Sequence, residues 1–248
     1  MAALVRNVAQ LYNTAATLTS FAPSADTVRV LHVSDLHLNP QAFDLVAQLV
    51  RQLTIDVVVD TGRGNHDSEL TAAAVASQPN AIVLDGDTRE VGGLTFWGIG
   101  DPRFTPDKTQ DLDLSEERGV ADRFAPEVAR LVQGAGYADV VLVHDPRVAA
   151  DLGGLTPLVL AGHAHRASSR RLSDGTLMLI EGGTGGAGLR MRETGEATPL
   201  TCSVLYFEAS SQSLRAFDRI TVEGLGNAAA HIQRHIVPRP LDDHKRGP

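Results

Sequence analysis

At 248 residues, 43% hydrophobic and 21% charged, the chain lies in the range of globular proteins with a sizeable buried core, most simply one α/β domain, and against disorder of the whole. A formal charge of -8 and a pI near 5.5 leave no basic footprint for a nucleic-acid duplex or an anionic membrane surface, so an anionic substrate would need a local attractor such as a bound cation. The single Cys202 rules out an intramolecular disulfide framework and a cysteine-type zinc cluster, leaving His, Asp, Glu and Asn as metal ligands.

Residues 1–20 carry Leu4, Val8, Leu11, Ala15 and Leu18 at helical spacing, which predicts a helix before the turn cluster "FAPSAD". No apolar run reaches the roughly 18 residues of a membrane span, and the start lacks the cationic and apolar regions of a signal peptide, so the expectation is a soluble, by default cytoplasmic, protein. "VRVLHVS" reads as a strand, "QAFDLVAQLVRQL" as an amphipathic helix and "IDVVVD" as a buried strand, together a βαβ unit. "SELTAAAVAS" reads as a helix with Ser68 as N-cap. It is followed by a strand "AIVL", a turn at Asp85 to Asp87 and a strand "LTFWGIG".

Residues 101–113 form a long polar loop in which Arg103 is a candidate phosphate contact or a solvated ion pair. A helix over about residues 114–134, kinked at Pro126, precedes two buried strands, "DVVLVHD" and "PLVLAGH". "TLMLIEGG", "TCSVLYFEA" and "SLRAFDRI" alternate as antiparallel strands do, and Cys202 is expected to be a buried small hydrophobe. The run "GGTGGAGLR" lacks a Walker Lys-Ser/Thr and opens no helix, so its glycines read as close packing or a tight bend rather than a nucleotide loop. From Gly224 the tail is polar, with a short helix around "AAAHIQRHIV". The expected organisation is a helix and linker over 1–27, one domain over 28–222 and a polar, partly disordered tail over 223–248.

Four fragments share a placement: "SDLH", "GNHD", "HD" and "GHAH" each lie just past the carboxyl end of a predicted strand, where open α/β sheets collect ligand-binding groups. Asp35 and His37 are separated by one residue, as are His163 and His165, so a turn leaving a strand can aim both members of a pair at one point. Carboxylate oxygen with imidazole nitrogen suits Zn, Mn, Fe or a similar divalent ion rather than Ca.

With these motifs, Asp35-Leu36-His37, Gly64-Asn65-His66-Asp67, His144 and Gly162-His163-Ala164-His165, the chain resembles the calcineurin-like metallophosphoesterases over about residues 28–220. The resemblance implies a metallophosphoesterase-like β-sandwich of mixed sheets flanked by helices (α/β/β/α) and hydrolysis of a phosphate ester by metal-activated water. It further implies that Asp35, His37 and His165 bind a first metal and that Asn65, His144 and His163 bind a second. His66 would be the general acid, oriented by Asp67. The stretch "LTSFAPSADTVRVLHVSDLHLNP" also resembles bacterial members in which this domain follows membrane segments, which would make the chain the soluble portion of an anchored protein.

One family motif is altered. Where a Gly-Asp supplies the carboxylate that bridges two metals, this chain has Gly62-Arg63 and continues at once into "GNHD". The junction reads as a deletion that removes one helix and one strand, weakens at least one metal position and leaves a one-metal site as an alternative. Asp60 is either a substitute ligand or a turn acceptor. The competing reading is a non-catalytic metal-binding or interaction domain of the same fold, or a truncated form of a longer enzyme.

Overall fold

The computed structural model describes residues 26–36, 39–62, 73, 76–102, 114–186, 199–223 and 229–238. The predicted amino-terminal helix, Ser68 and most of its helix, and the loop beyond Pro102 lie outside the described residues.

The βαβ unit forms as expected. Strand β1 (Thr27–Val33) leads into helix α1 (Pro40–Gln52), and β2 (Val57–Asp60) returns parallel to β1 with Val33 beside Asp60. The apolar positions Leu45, Leu49 and Leu53 recur at helical spacing, so one stripe of α1 is buried against this sheet. Two long strands, β9 (Leu200–Glu208) and β10 (Ser213–Glu223), add antiparallel to β1, and β11 (Ala229–Ile236) completes the order β11-β10-β9-β1-β2.

The second sheet takes the middle of the chain. It contains β3 (Asp87–Val91), β4 (Leu94–Gly98), β5 (Val140–Leu142), β6 (Leu158–Ala161), β7 (Ser168–Arg171) and β8 (Leu177–Ile180), in the order β3-β4-β5-β6-β8-β7. Helix α2 (Leu114–Ala135) runs through Pro126 and buries Ala121, Val128, Ala129 and Val132 against the outer face of this sheet. Between the sheets lies a third apolar layer, with Val30, Val59, Leu205 and Phe217 on one side and Phe96, Val140, Leu160 and Leu179 on the other. Period-2 alternation feeds both layers, since Leu31 and Val33 face α1 while Val30 faces the opposite sheet. The architecture is therefore helix, sheet, sheet, helix.

Three expectations are corrected. "AIVL" is not a strand; the partner of β4 is "DTREV", because Gly92 and Gly93, both at positive φ, close a two-residue hairpin that sets this register. "TLMLIEGG" does not lie wholly among antiparallel neighbours: β8 runs parallel to β6 and antiparallel only to β7, whose sequence "SSRR" has no apolar residue to announce a strand. The tail helix is instead strand β11, paired with β10 from Ala216 with Ile236 to Glu223 with Ala229. Its alternating Ala230 and Ile232 pack on the α1 side, so pairing and burial override the helical preference of an alanine-rich start. Among the described residues no helix is long and apolar enough to cross a membrane.

Candidate functional site

The strand ends bring distant parts of the sequence to one edge of the sandwich. Asp35 leaves β1, Thr61 leaves β2, His144 follows β5, and His163 and His165 follow β6. The ladder continues past the strands, with Thr61 N–H donating to Val33 O at 3.0 Å and Gly162 N–H to His144 O at 2.9 Å. These bonds fix the exits of the loops.

Asp35 sits at the middle. Its Oδ2 accepts from Ser34 Oγ–H at 2.7 Å and from the His163 backbone N–H at 3.0 Å, while its Oδ1 lies 3.4 Å from His165 Nε2 and 3.9 Å from His144 Nε2. Burial alone would raise this carboxyl. The hydrogen bonds from His165 and Ser34 and the charge of the nearby histidines outweigh it and hold Asp35 well below the usual carboxylate range. The second close pair is His163 Nδ1 and His144 Nε2 at 3.3 Å, with the rings edge to face.

His144 has a defined orientation. Its Nδ1 is 2.8 Å from the carbonyl oxygen of Thr61, which can only accept, so Nδ1 carries a proton and Nε2 is the ring atom turned toward the cluster. Asp145 is buried beside it and grips the Nε and Nη2 of Arg147, while its Oδ2 is 3.8 Å from His163 Nε2. Burial would raise Asp145 too, but the bonds from Arg147 and the charge of His163 bring it below its ordinary value. The site thus holds two buried carboxylates among three imidazoles.

Close backbone approach makes the arrangement possible. A Cβ on Gly162 would stand 1.8 Å from Ser34 Oγ, and one on Gly185 would stand 2.1 Å from Leu36 O. Thr184 N–H and Gly185 N–H donate to the carbonyls of Ser34 and Asp35, and Asn39 Nδ2–H donates to Gly185 O at 2.9 Å. The described part of the glycine-rich run therefore packs against the Asp35 loop. Asp35, His163 and His165 all have φ between 50° and 65°, a left-handed region that Asp and His tolerate better than bulky residues and that collects at functional sites.

Of the residues singled out in the sequence, Asp35, His144, His163 and His165 are brought together, whereas His37, Asn65, His66 and Asp67, with Arg63, lie outside the described residues. Asp60 is exposed, and its Oδ1 accepts the Gly62 N–H at 2.7 Å, a turn contact. Among the described residues no three His, Cys, Asp or Glu side chains form a metal-holding group. The donor chemistry nonetheless fits a divalent ion in pairs: two ligand atoms each roughly 2.1 Å from one cation stand about 3–3.5 Å apart, the spacing of Asp35 with His165 and of His144 with His163. The sequence reading missed Ser34, Thr61, Asn39 and Asp145. Only Ser34 and Asp145 had a signal, as neighbours of motif residues.

No family model and no curated protein matches the chain. Among solved structures it is similar to Vps29 of Chaetomium thermophilum, with 16% identity over 88% of this chain and 100% of that one and a TM-score of 0.44. It is also similar to an archaeal phosphodiesterase, with 14% identity over 78% of this chain and 99% of that one and a TM-score of 0.38. A phosphatase of Mycoplasma pneumoniae shares 10% identity over 85% of this chain and 94% of that one, with a TM-score of 0.43. Likeness at these levels carries no statement about activity.

Proposed function

We propose that this chain is a metal-dependent phosphoesterase acting on a phosphomonoester or phosphodiester. The observation that carries the reading is the pairing at the strand ends: Asp35 with His165 and His144 with His163, the same two groupings that the motif resemblance implies for two metals. On this reading His37 joins the first pair and Asn65 the second. A divalent ion such as Mn, Fe or Zn, when bound, supplies charge neutralisation for the phosphoryl oxygens and an acidified water.

The chain's own groups prepare that chemistry. Ser34 Oγ–H and the His163 N–H occupy Oδ2 of Asp35, so Oδ1 is the atom directed at His165 and His144. Thr61 O fixes the His144 tautomer with Nε2 toward the centre. His66 would deliver the proton to the leaving oxygen, with Asp67 orienting it.

The test is to measure metal per chain and hydrolysis of a chromogenic phosphodiester with added manganese. Bound metal with turnover that His66→Ala abolishes supports the reading, and a folded chain with neither metal nor turnover overturns it. A second reading, a non-catalytic domain of the same fold, draws on Asp60, whose Oδ1 is engaged by the Gly62 turn while Arg63 stands where a bridging carboxylate is expected. Metal bound without turnover would favour it.

A further inference from the structure

His32 lies in β1 with no solvent exposure, on the face that looks toward the second sheet, in register with Val59 on one side and Ser203 on the other. Its neighbour on that face, Val30, belongs to the apolar layer between the sheets. A leucine at position 32 would continue that layer without desolvating two ring nitrogens, so an imidazole there has a cost that packing alone does not recover. Burial, with the charge of Arg219, lowers its pKa to about 3 against the opposing pull of Asp35, so the ring is neutral and carries one proton.

One of its nitrogens is engaged. His32 Nε2 lies 3.0 Å from Thr61 Oγ1, while Nδ1 has no partner among the described residues. Thr61 is held on three sides: its N–H donates to Val33 O, its hydroxyl meets His32, and its carbonyl accepts from His144 Nδ1 at 2.8 Å. The residue lies just past the end of β2, and the peptide plane through Thr61 O is also held at its other end, where Gly62 N–H donates to Asp60 Oδ1 at 2.7 Å. With the Thr61 amide tied to β1 and the Gly62 amide to Asp60, the hydroxyl contact with His32 is the third anchor and the one that comes from a side chain buried between the sheets; together they aim the carbonyl that accepts from His144 Nδ1.

We propose that His32 is a positioning residue: by anchoring Thr61 it sets the tautomer and aim of His144, and so the lone pair that His144 offers to a divalent cation. The metal half of this inference rests on the reading of His144 as a ligand. The tautomer half does not.

The test uses the full chain labelled with 15N-histidine and freed of metal, read by ring 1H–15N correlation, followed by Mn(II) titration. Wild type should show His144 protonated at Nδ1 alone. His32→Phe keeps bulk but removes the contact, and Thr61→Val removes the hydroxyl but keeps the carbonyl. Both should shift His144 to a mixture of tautomers and weaken Mn(II) binding roughly 10- to 100-fold, the usual range for outer partners of a ligand. His32→Gln, which keeps a polar group for Thr61 Oγ1, should restore most of both readouts. Unchanged His144 resonances in folded His32→Phe would overturn the proposal, and should that variant fail to fold, the same result in Thr61→Val would do so. Wild type that shows the single tautomer but binds no Mn(II) would leave the positioning role standing and remove the metal reading instead.

Discussion

The carboxylate of Asp35 accepts the backbone N–H of His163 at 3.0 Å, joining the first sheet to the second across 128 residues of sequence. The same side chain therefore closes the sandwich edge and faces the imidazoles of His144 and His165. Asp35→Asn keeps an acceptor for the amide but removes the charge. The expected outcome is a folded protein whose manganese affinity falls by at least roughly two orders of magnitude, beyond the effect of losing an outer partner. Equilibrium dialysis with metal analysis checks it, alongside circular dichroism for the fold.

The contact of Gly185 with the backbone of Leu36 leaves no room for a methyl group, since the obstacle is a carbonyl rather than a flexible side-chain end. Gly185→Ala should cost about 1–3 kcal/mol or more, as overpacking does. Gly134→Ala in α2 meets nothing within 4 Å and should instead gain about 0.5–1 kcal/mol. Urea unfolding of both variants gives the comparison.

Acid should act through His32. Its folded pKa is lowered to about 3, mainly by burial and then by Arg219, from an unfolded value of 6.5. The neutral buried ring thus contributes fully above pH 6.5, and its contribution is lost as pH falls from there toward 3, because the unfolded chain binds the proton first. Between pH 7 and pH 5 wild type should lose about 2 kcal/mol relative to His32→Phe, which has nothing to titrate at this place. Chemical denaturation at the two pH values measures the difference, and parallel curves would contradict it.

Strand β11 is tied to the sheet by a charge pair under its outer layer. Arg234 Nε donates to Asp218 Oδ1 at 2.6 Å, Tyr206 Oη–H donates to Asp218 Oδ2 at 3.1 Å, and Asp218 is fully buried. Arg234→Ala leaves that carboxylate without its cation and should cost about 3–5 kcal/mol. Tyr206→Phe removes one neutral donor and should cost about 1 kcal/mol. Thermal and denaturant unfolding rank the two.

Much of the fold was legible from local pattern. Leu45, Leu49 and Leu53 announce α1, "VRVLHV" and "IDVVVD" announce the parallel pair, and the strand-end placement of Asp35, His144, His163 and His165 follows from the same runs. The failures share one cause. "SSRR" and "AAHIQRHI" are strands because β8 and β10 offer them an edge, and "DTREV" displaces "AIVL" because Gly92-Gly93 turns it onto β4. Such pairing energy lies in a partner far along the chain or in a turn's backbone angles, not in the segment's own periodicity.

By itself, the sequence determined the chemical inventory: which histidines and carboxylates exist, which of them sit just past predicted strands, and that Gly62 is followed by Arg63. The motif resemblance implied how they group, and the tertiary structure alone decided their contacts. It set Asp35 against His165 and His144 against His163, turned Asp60 to the Gly62 amide, and placed Thr61 between a buried His32 and the ring of His144. The reason is geometric. Period-2 alternation predicts which residues share a face, but hydrogen-bond distance between residues 29 or 83 positions apart is set by sheet register and by how the two sheets stack.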